Sequence, residues 1–168
     1  NSMKDILVQE YNNLVKVPKK PLSIKNNFII NFINGTRVEI KGKSKKKYKI
    51  EIINQSNNEV IYESEITNNM WSKANKTYFI DSLIKITDLN TNEVIEHRYN
   101  AKGKKVYIHF ASKALGDTIA WFPYAEEFRK KHQCELVVST FHNKMFEENY
   151  PEIKFIEPGT TVNNLYAM

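Results

Sequence analysis

The 168-residue chain carries 25 Lys and Arg against 19 Asp and Glu, a formal net charge of +6, with 41% hydrophobic and 12% aromatic residues. This is apolar material enough for one full domain or two small ones. No apolar run approaches the ~20 residues of a membrane-spanning helix. Asn1-Ser2-Met3-Lys4 lacks the regions of a signal peptide, and Asn1 and Ser2 read as a cloning remnant ahead of Met3. The single cysteine, Cys134, excludes an internal disulfide or a cysteine zinc cluster and suits a reducing, cytoplasmic location. A basic excess raises nucleic acid or an anionic surface as partner. Here Lys, Asn and Ile are abundant together, and the densest run, 41–49, falls at a turn between expected strands. It reads as a solvated edge, and no nucleic-acid partner is expected.

Residues 3–16 suit a short helix with Ile6, Leu7, Leu14 and Val15 as apolar positions, ended by Pro18 and Pro21. From about 27 the period becomes two. Phe28, Ile30 and Phe32 alternate, Asn34-Gly35 supplies a type I′ hairpin turn, and Val38 and Ile40 alternate back. Tyr48, Ile50 and Ile52 form the next strand, residues 55–58 a turn, and Val60, Tyr62 and Ile66 another strand. Residues 67–76 look irregular, and Trp71 there reads as a packed cap over a barrel end more readily than as a ligand contact. Tyr78, Ile80, Ile84 and Ile86 share one face of a strand over 77–88. After a turn at 90–92, residues 94–99 close the series. The pattern predicts an antiparallel meander, closed as a small barrel or sandwich.

At Lys102-Gly103-Lys104-Lys105 the style changes. Residues 106–110 form a compact apolar strand, as in a parallel sheet buried on both faces, with His109 as a core residue. A loop over 111–116 leads into a helix over 117–132, with Ile119, Phe122, Ala125 and Phe128 toward the core and Pro123 as a kink or a start. A strand over 135–139, a short helix over 143–150 and a strand over 153–156 follow. This is the opening of a doubly wound α/β sheet. The chain stops without an obvious closing element, as a truncated form would. The expected organisation is an N-terminal helix and linker over 1–26, a β-barrel or sandwich domain over 27–103, and the first part of a Rossmann-like domain over 104–168.

Open parallel sheets bind ligands at the carboxyl ends of their strands. The first such end here is Ala111-Ser112-Lys113-Ala114-Leu115-Gly116-Asp117-Thr118. Gly116 allows a tight turn or the close approach of a ligand, and Lys113 offers a cation. A carboxylate at Asp117 could accept a proton from an attacking hydroxyl. The same position suits a helix N-cap, for which Asp is among the best residues, and spacing alone favours the cap. The loop lacks the glycines of a dinucleotide fingerprint. His97, His109, His132 and His142 show no metal-ligand spacing, and Ser112 and Ser139 no nucleophile elbow. Glu126-Glu127 and Glu147-Glu148 read as solvated helix faces.

The stretch from Lys113 to Tyr124, with Leu115-Gly116-Asp117 and Trp121-Phe122-Pro123-Tyr124, resembles the opening of lipopolysaccharide heptosyltransferases (glycosyltransferase family 9). So does Tyr150-Pro151-Glu152-Ile153. The likeness is closer to the autotransporter heptosyltransferases, in which a β-rich domain precedes that loop, as Tyr78-Phe79-Ile80 and the residues from Glu96 to Gly103 do here. It covers about 27–166 and is specific over 105–160. The resemblance implies the N-terminal part of a GT-B glycosyltransferase that moves heptose from ADP-heptose to serine hydroxyls of an autotransporter passenger. It makes Asp117 the catalytic base, with Ser112, Lys113, Leu115, Gly116, Thr118 and Trp121 around the substrate. It also implies a later donor-binding region with a cysteine-built iron site and a homo-oligomer. No metal or cofactor site is expected within this chain, which alone would not catalyse transfer. The alternative is a non-catalytic β module for protein–protein contact or assembly.

Overall fold

The computed structural model describes residues 14–16, 26–75 and 79–168, which divide into two compact units between Tyr99 and Asn100. In the first unit β1 (Leu14–Lys16), β4 (Lys47–Asn54), β5 (Glu59–Thr67), β7 (Ser82–Asp88) and β8 (Val94–Arg98) form one sheet, in the order β1-β8-β7-β4-β5. β2 (Asn26–Asn31), β3 (Thr36–Gly42) and β6 (Trp71–Ala74) form a second, in the order β2-β3-β6. Period-two patterning does what it should. Tyr48, Ile50 and Ile52 of β4 are buried, as are Ile84 and Ile86 of β7. Ile50 lies opposite Ile86 and Ile52 opposite Ile84, which makes the central pair of the larger sheet apolar on one face. Phe28 and Ile30 face Ile40 and Val38 across the β2–β3 pair. The two inner faces meet where the Phe28 ring packs edge-on against Tyr48, centroids 5.5 Å apart.

Several expectations are corrected here. The sheets remain separate, so no barrel closes. The chain passes between sheets after β1, β3, β5 and β6, so the path is no simple meander. β6 occupies the segment read as irregular. Its inward residues are Ser72 and Ala74, too polar and too small to show as alternation, and Ser72 is held by hydrogen bonds to Ser64 and the Tyr62 hydroxyl. Trp71 caps nothing: it is 58% exposed, with the Arg37 guanidinium 5.4 Å from its ring centre. Residues 14–16 are a strand paired with β8 rather than a helix end, because a sheet edge there outweighs local helical preference. The remainder of the predicted helix, 3–13, and residues 77–78 lie outside the described residues. Asn34 and Gly35 both take positive φ, 52° and 110°. Asn31 lies opposite Arg37, however, so the connection is odd in length, where a two-residue turn would place Asn31 opposite Val38.

In the second unit β9 (Lys105–His109), β10 (Glu135–Ser139) and β11 (Lys154–Ile156) form a parallel sheet in the order β11-β10-β9. Helix α1 (Leu115–His132) connects β9 to β10. Phe122 is its anchor. The ring is fully buried and stacks on Phe146 at 4.2 Å, beside Phe110, Tyr150 and Phe155. That contact sets the buried stripe at Thr118, Phe122 and Ala125, leaving Ile119 half exposed and not in the core. α1 runs unbroken through Pro123. His109 is also corrected: it lies exposed, its Nδ1 3.4 Å from the Tyr107 hydroxyl. The predicted helix over 143–150 is a single 3-10 turn, Asn143–Met145, followed by turns. Thr140 and Asn143 spend their side chains on strand ends, and Pro151 restricts Tyr150. Near the C-terminus, Tyr166 N–H donates to the Lys105 carbonyl and Ala167 accepts from Tyr107 N–H. This places Ala167 parallel to Val106, on the side of β9 away from β10. That pairing is a single bridge, and β9 is an edge strand of the sheet.

Candidate active site

Open parallel sheets bind ligands at the carboxyl ends of their strands. The loop leaving β9 stands there and hands the chain to α1. The N-cap is Ala114, which has no side chain to offer the helix, so Asp117 is the third residue of α1 and not the cap expected of it. The capping work is relayed. Ala114 N–H donates to the Ser112 hydroxyl at 3.1 Å, and that hydroxyl donates to Asp117 Oδ2 at 2.7 Å. In an ordinary capping box an acid at the third helical position reaches back to the cap's N–H directly. Here Ser112 stands between them, which leaves the second carboxylate oxygen of Asp117 directed away from that contact on an exposed residue.

The remaining predicted site residues separate into two sets. Lys113, Leu115, Gly116 and Trp121 are exposed around the start of α1. Thr118 is buried, and its hydroxyl donates to the Ala114 carbonyl at 3.3 Å, so it serves the helix. Helical spacing puts Asp117, Trp121 and Tyr124 on one stripe. Trp121 and Tyr124 are 63% and 61% exposed, and their rings lie 5.6 Å apart.

The end of β10 adds a residue that sequence spacing does not single out. His142 Nε2 lies 2.9 Å from the Lys113 carbonyl, and the Lys113 ammonium lies 5.5 Å from the Phe141 ring centre. The His142 segment is fixed by buried polar bonds. Asn143 Oδ1 accepts from Thr140 N–H and hydroxyl, Asn143 Nδ2 donates to the Ile156 carbonyl, and Thr140 Oγ1 accepts from His142 N–H. The only sequence signal is the position of these residues just beyond a second parallel strand. Glu126, read as a solvated acid, is clamped by both Nε and Nη2 of Arg129 at 2.8 Å, which holds its carboxyl below the usual range.

A two-layer β unit followed by a parallel α/β unit that presents a carboxylate at its strand ends is the architecture of an α/β protein with an added β domain. No family model matches the chain. The autotransporter heptosyltransferase Aah of Escherichia coli is 32% identical over 133 residues, 77% of this chain and 33% of Aah. The inactive autotransporter heptosyltransferase BimC of Burkholderia thailandensis is 33% identical over 87 residues, 51% of this chain and 20% of BimC. The crystal structure of TibC, an iron-containing dodecameric glycosyltransferase of enterotoxigenic E. coli, has a TM-score of 0.73 at 22% identity. It covers 90% of this chain and 39% of TibC. Over most of its length the chain is thus similar to autotransporter heptosyltransferases, and it spans about a third of the length of the curated relatives it matches. Among the described residues no three His, Cys, Asp or Glu converge as metal ligands. Cys134 is buried, and burial pushes its thiol pKa up. The described residues do not fit an iron site. Nor is any described helix long and apolar enough to cross a membrane.

Proposed function

We propose that the chain is the acceptor-activating part of a GT-B heptosyltransferase that works in the cytoplasm. The unit ending at Tyr99 is its β domain, and the unit over Asn100–Met168 opens its first Rossmann-like domain. The donor is ADP-heptose, the ligand in a second crystal structure of TibC, and the acceptor is a serine hydroxyl of an autotransporter passenger. Donor binding and any iron belong to regions outside these residues, and the assembly is a homo-oligomer. The observation that carries the reading is Asp117, an exposed carboxylate oriented by Ser112 at 2.7 Å, at the carboxyl end of β9.

In the reaction the acceptor oxygen attacks the anomeric carbon of the heptose. The carbon–oxygen bond to the diphosphate breaks with its electron pair going to ADP, and the hydroxyl proton passes to Asp117. Ser112 already occupies one carboxylate oxygen, so the proton goes to the other. Trp121 and Tyr124 supply aromatic surface beside the base, Gly116 lets the substrate come close to the helix backbone, and Lys113 contributes positive charge. A base of this kind contributes about 10²–10⁴-fold. The test is Asp117→Asn in the full-length protein, with transfer followed as the mass increase of the passenger. A drop of at least about 100-fold with little change in melting temperature is expected. Near-native transfer would remove Asp117 from the chemistry. Because BimC is described as inactive, native transfer by the unmodified protein is the first measurement of the series.

A further inference from the structure

We infer that His142 is a positioning residue that holds the loop of Asp117 in its working geometry. For its catalytic consequence the inference rests on the heptosyl-transfer reading. The bonds of Ser112 to Ala114 N–H and to Asp117 are local, spanning five positions or fewer. Such bonds fix the loop's internal shape but cannot fix it against the sheet. The bond between His142 and the Lys113 carbonyl spans 29 positions and ties the loop to the end of the neighbouring strand. A carbonyl only accepts, so Nε2 carries the proton and donates.

The mount is stiff. Asn143 and Thr140 are 6% and 1% exposed, and their amide and hydroxyl bonds join the ends of β10 and β11. Buried polar groups with their partners made resist displacement. The Lys113 ammonium over the Phe141 ring holds the same loop residue a second time. The route from sheet to base therefore runs Asn143, Thr140, His142, Lys113 carbonyl, Ser112, Asp117. Displacing a catalytic group by ~1 Å costs on the order of 100-fold in rate, so a loop freed at Lys113 is expected to slow transfer without emptying the site.

The test pairs His142→Phe, which keeps a ring and removes the donor, with His142→Gln, whose amide can donate from a similar reach. Two readouts are needed. In the 168-residue chain, hydrogen exchange of the Ala114 and Thr118 amides, which donate to the Ser112 hydroxyl and the Ala114 carbonyl, is expected to quicken about tenfold in His142→Phe, the loss of one hydrogen bond of ~1.4 kcal/mol. It should stay near native in His142→Gln, with exchange in β4 and β7 unchanged in both. In the full-length protein His142→Phe is expected to lower kcat 10- to 100-fold with little effect on donor KM, and His142→Gln to restore most of it. Unchanged loop exchange in His142→Phe overturns the inference, as does a general rise in exchange across 100–168, which would make His142 merely structural. Asp117→Asn measured alongside separates the two ideas. If Asp117→Asn is inactive and His142→Phe has native kcat, positioning by His142 is wrong and the base stands. If Asp117→Asn is fully active, the base assignment is wrong, and loop exchange alone decides whether His142 fixes the loop.

Discussion

Gly116 gives a prediction in which stability and function move in opposite directions. It is the second residue of α1, its φ lies outside the left-handed region, and a Cβ built on it meets no atom within 4 Å. Neither the turn nor the packing of the described residues requires glycine there, although glycine is about 1 kcal/mol poorer than alanine inside a helix. Gly116→Ala restricts the unfolded chain and costs the folded one nothing, so it should stabilise by about 0.4–1 kcal/mol. For a unit of this size that is a rise in melting temperature of roughly 2–8 °C, readable by circular dichroism on the 168-residue chain. What remains to explain the glycine is something that approaches the helix backbone from outside. The added methyl should then cut transfer by the full-length protein at least tenfold, chiefly through KM for the acceptor. A lower melting temperature would refute the backbone argument. A higher one with native transfer would show that no substrate comes near Gly116.

Two further predictions concern stability. Asp88 is buried, with the Lys46 ammonium at 2.6 Å and the Asn90 and Thr91 N–H groups on its other oxygen. Burial raises its pKa, but these partners outweigh burial and hold it below the usual carboxylate value. A depressed folded pKa gives stability that is present above the unfolded value of about 3.9 and lost as pH falls through the folded one. The melting temperature of the native chain should therefore fall steeply below pH ~4, and Asp88→Asn, less stable by about 1–3 kcal/mol at pH 7, should fall less steeply. An equal acid slope in both would exclude Asp88 as its source. Phe122→Ala removes a fully buried ring from a cluster of four others and should cost about 3–5 kcal/mol. Hydrogen exchange should then rise through 100–168 while β4 and β7 keep their protection, and a uniform loss across both units would contradict the division at Tyr99.

How much of this was legible in the residues follows from what each signal reports. Alternation located β4 and the later part of the strand expected over 77–88, which begins only at Ser82, because Ile50, Ile52, Ile84 and Ile86 are large, apolar and inward. The strand over 135–139 was placed to the residue, since an apolar run between a basic helix end and a polar turn has few other uses. Which strands pair was not legible. Alternation tells which face a residue takes but not which neighbour it meets, so the crossings between sheets and the strand β6, with Ser72 and Ala74 inward, stayed hidden. On α1 Phe122 and Ala125 are buried as expected, and the miss is at Ile119. Ile119 is more apolar than Thr118, yet the threonine is buried because Phe122 faces the sheet and its hydroxyl can bond its own helix. At the candidate site the loop was legible from the switch between strand and helix, whereas spacing alone favours a cap at Asp117 and the N-cap is Ala114. His142 was not legible, because its partner is a backbone carbonyl 29 positions away, and a carbonyl leaves no mark in a sequence.

The cap and the base readings of Asp117 become compatible once Ala114 is the N-cap, and their magnitudes decide how to tell them apart. A first-turn acid contributes about 0.3–1 kcal/mol to helix stability. A general base lowers a barrier by roughly 3–5 kcal/mol. Asp117→Asn keeps an oxygen to accept the Ser112 hydroxyl and so retains most of the relay to Ala114 N–H, but the neutral amide takes no proton. Ser112→Ala does the reverse: it breaks the relay and leaves a charged carboxylate free to turn. If Asp117 is the base, the two variants must rank in a fixed order. Ser112→Ala should lose more stability, about 1 kcal/mol for a lost cap, and less rate, since a base that has lost only its orientation still accepts a proton. Melting temperatures and transfer rates of the two in the full-length protein give that order directly. A Ser112→Ala variant slower than Asp117→Asn would make the hydroxyl the group that matters to transfer and leave the carboxylate as its support.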